Sequence, residues 1–209
     1  MNEALVKNWF YADTIESLYK IHQEDINIVL FNRNIDALKT DIDDVLTRQV
    51  KINAYGTIDN IMKELIDQCE LSYSSLLIKD IKNQLISFKQ ISQSETLRLF
   101  LATVETDMCK KFHIDVNDLR MLCTYSGSGT LWLTEDNVNR EALKNFADNA
   151  TIVIDENNIQ QAETGTVIIL KGSTYPKYQT KAIVHRSPTI ENKEEKRLLL
   201  RIDTSEFLK

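Results

Sequence analysis

The rhythm of the second half restricts this chain most. Between residues 97 and 203 the apolar runs are short, closely spaced and divided by glycine, proline or polar turns. They are Leu97–Met108, Asp118–Tyr125, Leu131–Leu133, Thr151–Asp155, Gly165–Gly172, Lys181–His185 and Arg197–Asp203, with a short helix predicted over Asn139–Ala147. Gly127 and Gly129 mark one turn. Strands at this spacing predict a sandwich or barrel. Their succession fits a double-stranded β-helix, a jelly roll of cupin type.

The first half has another period. Residues 1–25 read as an irregular or partly helical lead-in, with Trp9, Phe10 and Tyr11 docked on the body. Asp25–Arg33 predicts one buried strand, in which Ile26, Ile28 and Leu30 alternate with their neighbours. Helical spacing follows in Ile35, Leu38, Ile42, Val45 and Leu46. It recurs in Ile58, Ile61, Met62, Leu65 and Ile66, and in Leu77, Ile78, Ile81, Leu85, Ile86 and Phe88. Gly56 and Thr57 supply a break and a cap before the second helix. These stripes are core packing and carry no site. The expected fold is therefore α+β and a single domain over 1–209. Residues 1–95 form a helical N-terminal layer with one strand, and residues 96–209 a jelly-roll core.

A net charge of −6 argues against a nucleic-acid partner, which would require a basic face. No apolar run approaches a membrane span, and the N-terminus lacks the uninterrupted apolar core of a signal peptide. Cytoplasmic residence is the expectation. Cys69, Cys109 and Cys123 lack a framework spacing and fit reduced thiols.

The residues that carry chemistry are few. His113 and Asp115 stand two apart at what reads as a strand end, a spacing that turns both to one face. His185 ends a later strand, and His22, the remaining histidine, reads as a surface or capping residue. Two histidines and one carboxylate with open positions make the facial triad of non-haem iron sites, although manganese and zinc accept the same ligands. The alternative is a pair of core histidines bonded to nearby carboxylates. Arg197, on the next strand, can grip a dicarboxylate bidentately. Arg197, Leu199 and Arg201 share one strand face, and Leu198, Leu200 and Ile202 the other. If the leucines fill a barrel, both arginines point to solvent, and the sequence leaves the two readings level. Arg186 and Arg120 are alternative carboxylate partners. Tyr125 and Arg120 are candidate contacts to substrate or co-substrate, and Trp132, Glu135 and Asp136 candidate rim residues. A rival zinc site would use Cys109, His113, Cys123 and His185.

The order His-x-Asp, distant His, then Arg on the following strand resembles the iron(II)/2-oxoglutarate oxygenases of the jelly-roll class. That resemblance implies Fe(II) on His113, Asp115 and His185, with 2-oxoglutarate on Arg197 and a small-molecule substrate. A closer resemblance lies in Asp107–Asp115, Leu119–Leu133, Asn139-Arg140, Leu170–Gly172, His185-Arg-Ser-Pro188 and Arg197–Leu200. These segments look like the bacterial family called domain of unknown function 1826, which lends no activity of its own. The family pattern reads Gly-Pro-Gly where this chain has Gly127-Ser-Gly129.

Overall fold

The computed structural model describes residues 7–176, 181–191 and 195–204. Residues 1–6 of the predicted lead-in lie outside the described residues. The strands are β1 (Trp9–Tyr11), β2 (Ile28–Phe31), β3 (Lys51–Gly56), β4 (Leu97–Val104), β5 (Leu119–Ser126), β6 (Leu131–Leu133), β7 (Gln160–Gln161), β8 (Val167–Lys171), β9 (Val184–Arg186) and β10 (Arg197–Thr204). The helices are α1 (Lys39–Arg48), α2 (Ile58–Cys69), α3 (Leu76–Ser92), α4 (Arg140–Lys144) and α5 (Asn149–Ile152).

The three long helices form where the apolar stripes predict them. The Thr57 side chain accepts from Asn60 N at the start of α2, and Ser75 accepts from Ile78 N at the start of α3. Asp41 of α1 reinforces the second cap, accepting from Ser75 Oγ (2.6 Å) and Leu77 N (3.0 Å). The first helix is thereby tied to the third.

Among the described residues, seven strands form one sheet in the order β1-β2-β8-β5-β10-β4-β3. All neighbours are antiparallel except β1 and β2. A smaller sheet has the order β7-β6-β9. One face of the large sheet packs on the helices: Leu198, Leu200 and Ile202 share a buried cluster with Leu77, Ile81, Leu85 and Phe88. On the other face Leu122, Ile168, Leu170 and Leu199 pack with Trp132 of the small sheet. The result is three layers: helices, large sheet, small sheet. The chain passes repeatedly between the sheets, with β4, β5, β8 and β10 in the large one and β6, β7 and β9 in the small one.

Three expectations need correction. The N-terminal region contributes three strands, not one: β1 and β2 extend the large sheet at one edge and β3 closes the other. Ile52, Ala54 and Gly56 of β3 are buried while Lys51, Asn53 and Tyr55 are exposed, so alternation was present in a stretch too short and small-sided to stand out. Thr151–Asp155 is not a strand. Residues 149–152 form a single helical turn because Asn149 is held elsewhere, accepting from Phe112 N and donating to Lys110 O, both at 2.9 Å. His113 does not end a strand either; it makes an isolated antiparallel bridge with His185.

Candidate metal centre

That bridge builds the site. His113 N donates to His185 O and His185 N to His113 O, each at 3.0 Å. The two histidines are thus directly opposed, and their rings lie 4.6 Å apart. Asp115 is brought to them by a loop, not by strand pleat. Ser173 N donates to Asp115 O (2.8 Å), Gly172 N to Asp118 O (2.8 Å) and Thr174 N to Asn117 O (3.1 Å). This clamp requires glycine at 172: a Cβ there would stand 2.2 Å from Asn117 O. The Asp115 carboxylate ends 3.7 Å from His113 Nε2 and 3.4 Å from His185 Nε2. Among the described residues His113, Asp115 and His185 form a group able to hold a metal ion, with ligand atoms all within 4.8 Å of one another.

The donor set fits a cation. His113 Nδ1 lies 2.9 Å from Lys111 O and His185 Nδ1 3.5 Å from Ile183 O. Both rings therefore carry the proton on Nδ1 and turn the Nε2 lone pair inward, the orientation that backbone carbonyls impose on ligating histidines. Asp115 Oδ2 is buried with no hydrogen-bond partner. That orphaned oxygen faces His185 Nε2, while Oδ1 faces His113 Nε2, and a buried carboxylate oxygen set against an imidazole nitrogen has the character of a ligand position.

The electrostatics agree. Burial holds the His185 imidazole down to about 4, so it is neutral and available to ligate. Burial alone would raise the Asp115 carboxyl, but a hydrogen bond from His113 and the positive charges around it, Arg120 among them, bring it to about 2. His113, stabilised as imidazolium chiefly by Asp115, is raised.

Arg197 faces this site. The leucines of β10 pack on the helices, so Arg197 and Arg201 turn to the other face, and the solvent-facing reading is excluded for Arg197, which is 1% exposed. A bulge in the β5–β10 pairing between Leu198 and Leu199 adjoins it. Arg197 Nη2 donates to Thr124 Oγ1 at 3.2 Å, while Nε has no partner. Among the described residues no carboxylate pairs with this guanidinium. The nearby Glu195 is occupied by Ser128, whose hydroxyl donates to it at 2.9 Å. Burial lowers the Arg197 pKa to about 10. His113, His185, Arg120, Arg186, Arg197 and Arg201 line one cavity of about 50 Å³. Arg186 lies half-buried in that wall, over the Phe112 ring, and donates to Ser187 O at 3.0 Å.

Other candidates lie elsewhere. Tyr125 points to the helix side: its hydroxyl donates to Asp80 Oδ2 and accepts from Gln84 Nε2, both at 2.6 Å, beside the Arg33–Asp80 ion pair. It does not line the cavity that bears His113 and His185. Cys123 is on that same face, and burial raises its thiol to about 11. The cysteine-containing zinc set is therefore not assembled. Trp132 is core between the sheets, and Glu135 is an ion-pair partner of Arg140 and Lys181. His22 is not simply superficial: it accepts from the Tyr175 hydroxyl (2.7 Å) and donates to Ile91 O (2.9 Å). Asn117, Thr124, Asn149 and Asp203 support the site and were not singled out from the sequence. Their polarity gave no signal, because their partners lie far along the chain.

A family model described as Protein of unknown function (DUF1826) matches residues 12–203. The chain belongs to the DUF1826 family. No curated protein matches this DUF1826 member. Among solved structures it is similar to a Pseudomonas putida prolyl-4-hydroxylase, with 8% identity, a TM-score of 0.48, and 91% of this chain and 99% of that one covered. It is also similar to a full-length Neurospora crassa protein in complex with alpha-KG, with 10% identity and a TM-score of 0.47 over 91% and 78% of the two chains. A third is the Fe(II)/(alpha)ketoglutarate-dependent dioxygenase TqaL, with 11% identity and a TM-score of 0.43 over 81% and 74%. No helix among the described residues is long and apolar enough to cross a membrane.

Proposed function

We propose that this DUF1826 protein is an iron(II)- and 2-oxoglutarate-dependent oxygenase acting on a small molecule, built on a double-stranded β-helix within a single domain. The observation that carries the reading is Arg197, a buried guanidinium with no carboxylate paired to it among the described residues, on the wall that also bears His113 and His185. A buried cation of this kind costs stability, and a carboxylate ligand is what would offset it. The chain's alternation between a large sheet (β4, β5, β8, β10) and a smaller one (β6, β7, β9) supports the jelly-roll reading.

His113, Asp115 and His185 would hold Fe(II), leaving three octahedral positions open. Arg197, assisted by the Thr124 hydroxyl, would pair with the distal carboxylate of 2-oxoglutarate and fix the keto acid end toward the triad. Bound iron(II) supplies oxygen activation, by which 2-oxoglutarate and O2 become succinate and CO2 as one oxygen atom enters the substrate. The cavity that bears His113, His185 and Arg197 is the place of the diacid in this reading. An open groove of about 240 Å³ adjoins it, lined by Asn53, Tyr55, Arg98, Phe100, Arg201 and Asp203 and sharing Arg201 with the cavity. This groove is the proposed approach for substrate.

The test is an anaerobic titration with Fe(II) and then 2-oxoglutarate, on wild type and on His185→Ala. A weak visible charge-transfer band in wild type that is absent from the variant is expected. Tightly retained zinc with no band would instead make the centre a non-redox zinc site.

A further inference from the structure

We propose that Arg120 is a positioning residue that commits Asp115 to bind the metal through one oxygen alone. This rests on the metal-centre reading above but not on the choice of metal or substrate. Arg120 sits on β5 with its guanidinium locked at both edges. Nη1 lies 2.5 Å from Asp115 Oδ1. Nε and Nη2 reach the two oxygens of Asp203 on β10, at 2.6 and 3.3 Å. Asp203 is itself fixed by Asn117 Nδ2, which donates to Oδ1 at 3.1 Å from the loop that carries Asp115. Strand, neighbouring strand and ligand loop are thus joined through one planar fork.

The consequence is that the two Asp115 oxygens are not equivalent. Oδ1 is paired with the Arg120 guanidinium and lies 3.7 Å from His113 Nε2. Oδ2 is buried, without a hydrogen bond, and 3.4 Å from His185 Nε2. A carboxylate free to rotate can chelate a cation with both oxygens. That would take a fourth position and leave two open. An Asp115 held by Oδ1 takes one position, and room remains for a chelating keto acid and oxygen together. Lysine cannot replace the fork, because a single ammonium cannot grip Asp115 and both oxygens of Asp203 in a fixed plane. Outer partners of this kind set ligand orientation in metal sites generally.

The test counts open positions directly, without turnover. Metal-free protein is loaded with Mn(II) alone, and water proton relaxation reports the waters that remain on the ion. Wild type is expected to keep about three and Arg120→Met about two, a relaxivity lower by about one third. Arg120→Lys is expected to follow Arg120→Met, since charge without the fork does not hold the plane. Should Arg120→Met unfold because Asp203 is left with only Arg201 and Asn117, the double variant Arg120→Met/Asp203→Asn removes that charge and carries the same expectation. Three waters in a folded Arg120 variant, or a wild-type count in Arg120→Lys, overturns the proposal. Absence of His185-dependent Mn(II) binding in wild type overturns the metal-centre reading, and this proposal with it.

Discussion

Arg197→Met should strengthen the fold and weaken co-substrate binding. Among the described residues the buried guanidinium makes one hydrogen bond, at 3.2 Å to Thr124. Burial brings its pKa down to about 10. For a base with a depressed folded-state pKa, the charged form is disfavoured by folding. The penalty is fully present at every pH below about 10 and is relieved only above it. At about 1.4 kcal/mol for each pH unit of depression, the charge costs roughly 3 kcal/mol at neutral pH. Methionine keeps most of the apolar stem and removes the charge, at the loss of one hydrogen bond worth about 1 kcal/mol. The net expectation is about 2 kcal/mol of added stability. For a chain of this length that is a rise in Tm of roughly 4–8 °C. The same change removes the partner of the 2-oxoglutarate carboxylate, a loss of about 2–5 kcal/mol, or roughly 30-fold to several thousand-fold in Kd. Urea denaturation and a direct 2-oxoglutarate titration of the metal-loaded protein measure the two effects. A destabilised variant would mean that the guanidinium is already satisfied in the free protein. Unchanged 2-oxoglutarate affinity would remove Arg197 from the site. Either result refutes the reasoning.

Tyr125→Phe should do the opposite. It removes a hydroxyl bonded to Asp80 and Gln84 inside the helix-facing core, so stability should fall by about 1–3 kcal/mol in urea while Mn(II) affinity is unchanged; weakened metal binding with intact stability would return Tyr125 to the site. In native protein a thiol reagent near pH 8 should modify exposed Cys109 quickly. Cys69 and Cys123, both buried and raised to about 11, should react only on unfolding, as a timed thiol count would show. Metal affinity should fall on acidification, because His113 is raised, chiefly by Asp115, and binds the proton that competes with the cation, whereas His185 stays neutral to about pH 4. Mn(II) titrations between pH 5.5 and 8 at constant ionic strength test this, and a flat profile would contradict it.

Much of this could be read from the chain. The helical stripes, the Thr57 cap, the strand at β10 and the ligand types at 113, 115 and 185 were all explicit in residue pattern. Strand β3 was not, because Ile52, Ala54 and Gly56 offer little apolar contrast over six residues. The Thr151–Asp155 segment misled because its β-branched residues favour a strand, while Asn149, pinned to Lys110 and Phe112, bends the backbone into a turn. Tyr125 misled for a related reason. Strand β5 is buried on both faces, so the alternation that separates inside from outside on a half-exposed strand is lost.

The sequence by itself determined which residues share a face and which chemistry they can offer. Leu198, Leu200 and Ile202 had to point one way, and Arg197 and Arg201 the other. Only the tertiary structure decided what each face meets. The helices cover the leucine face, which turns Arg197 toward the triad. The His113–His185 bridge and the Arg120–Asp203 pair join positions far apart in the chain. Periodicity is a local property of the backbone, and it specifies direction without specifying the partner. Convergence of ligands, and the choice of which carboxylate oxygen stays free, come from how the two sheets close on each other.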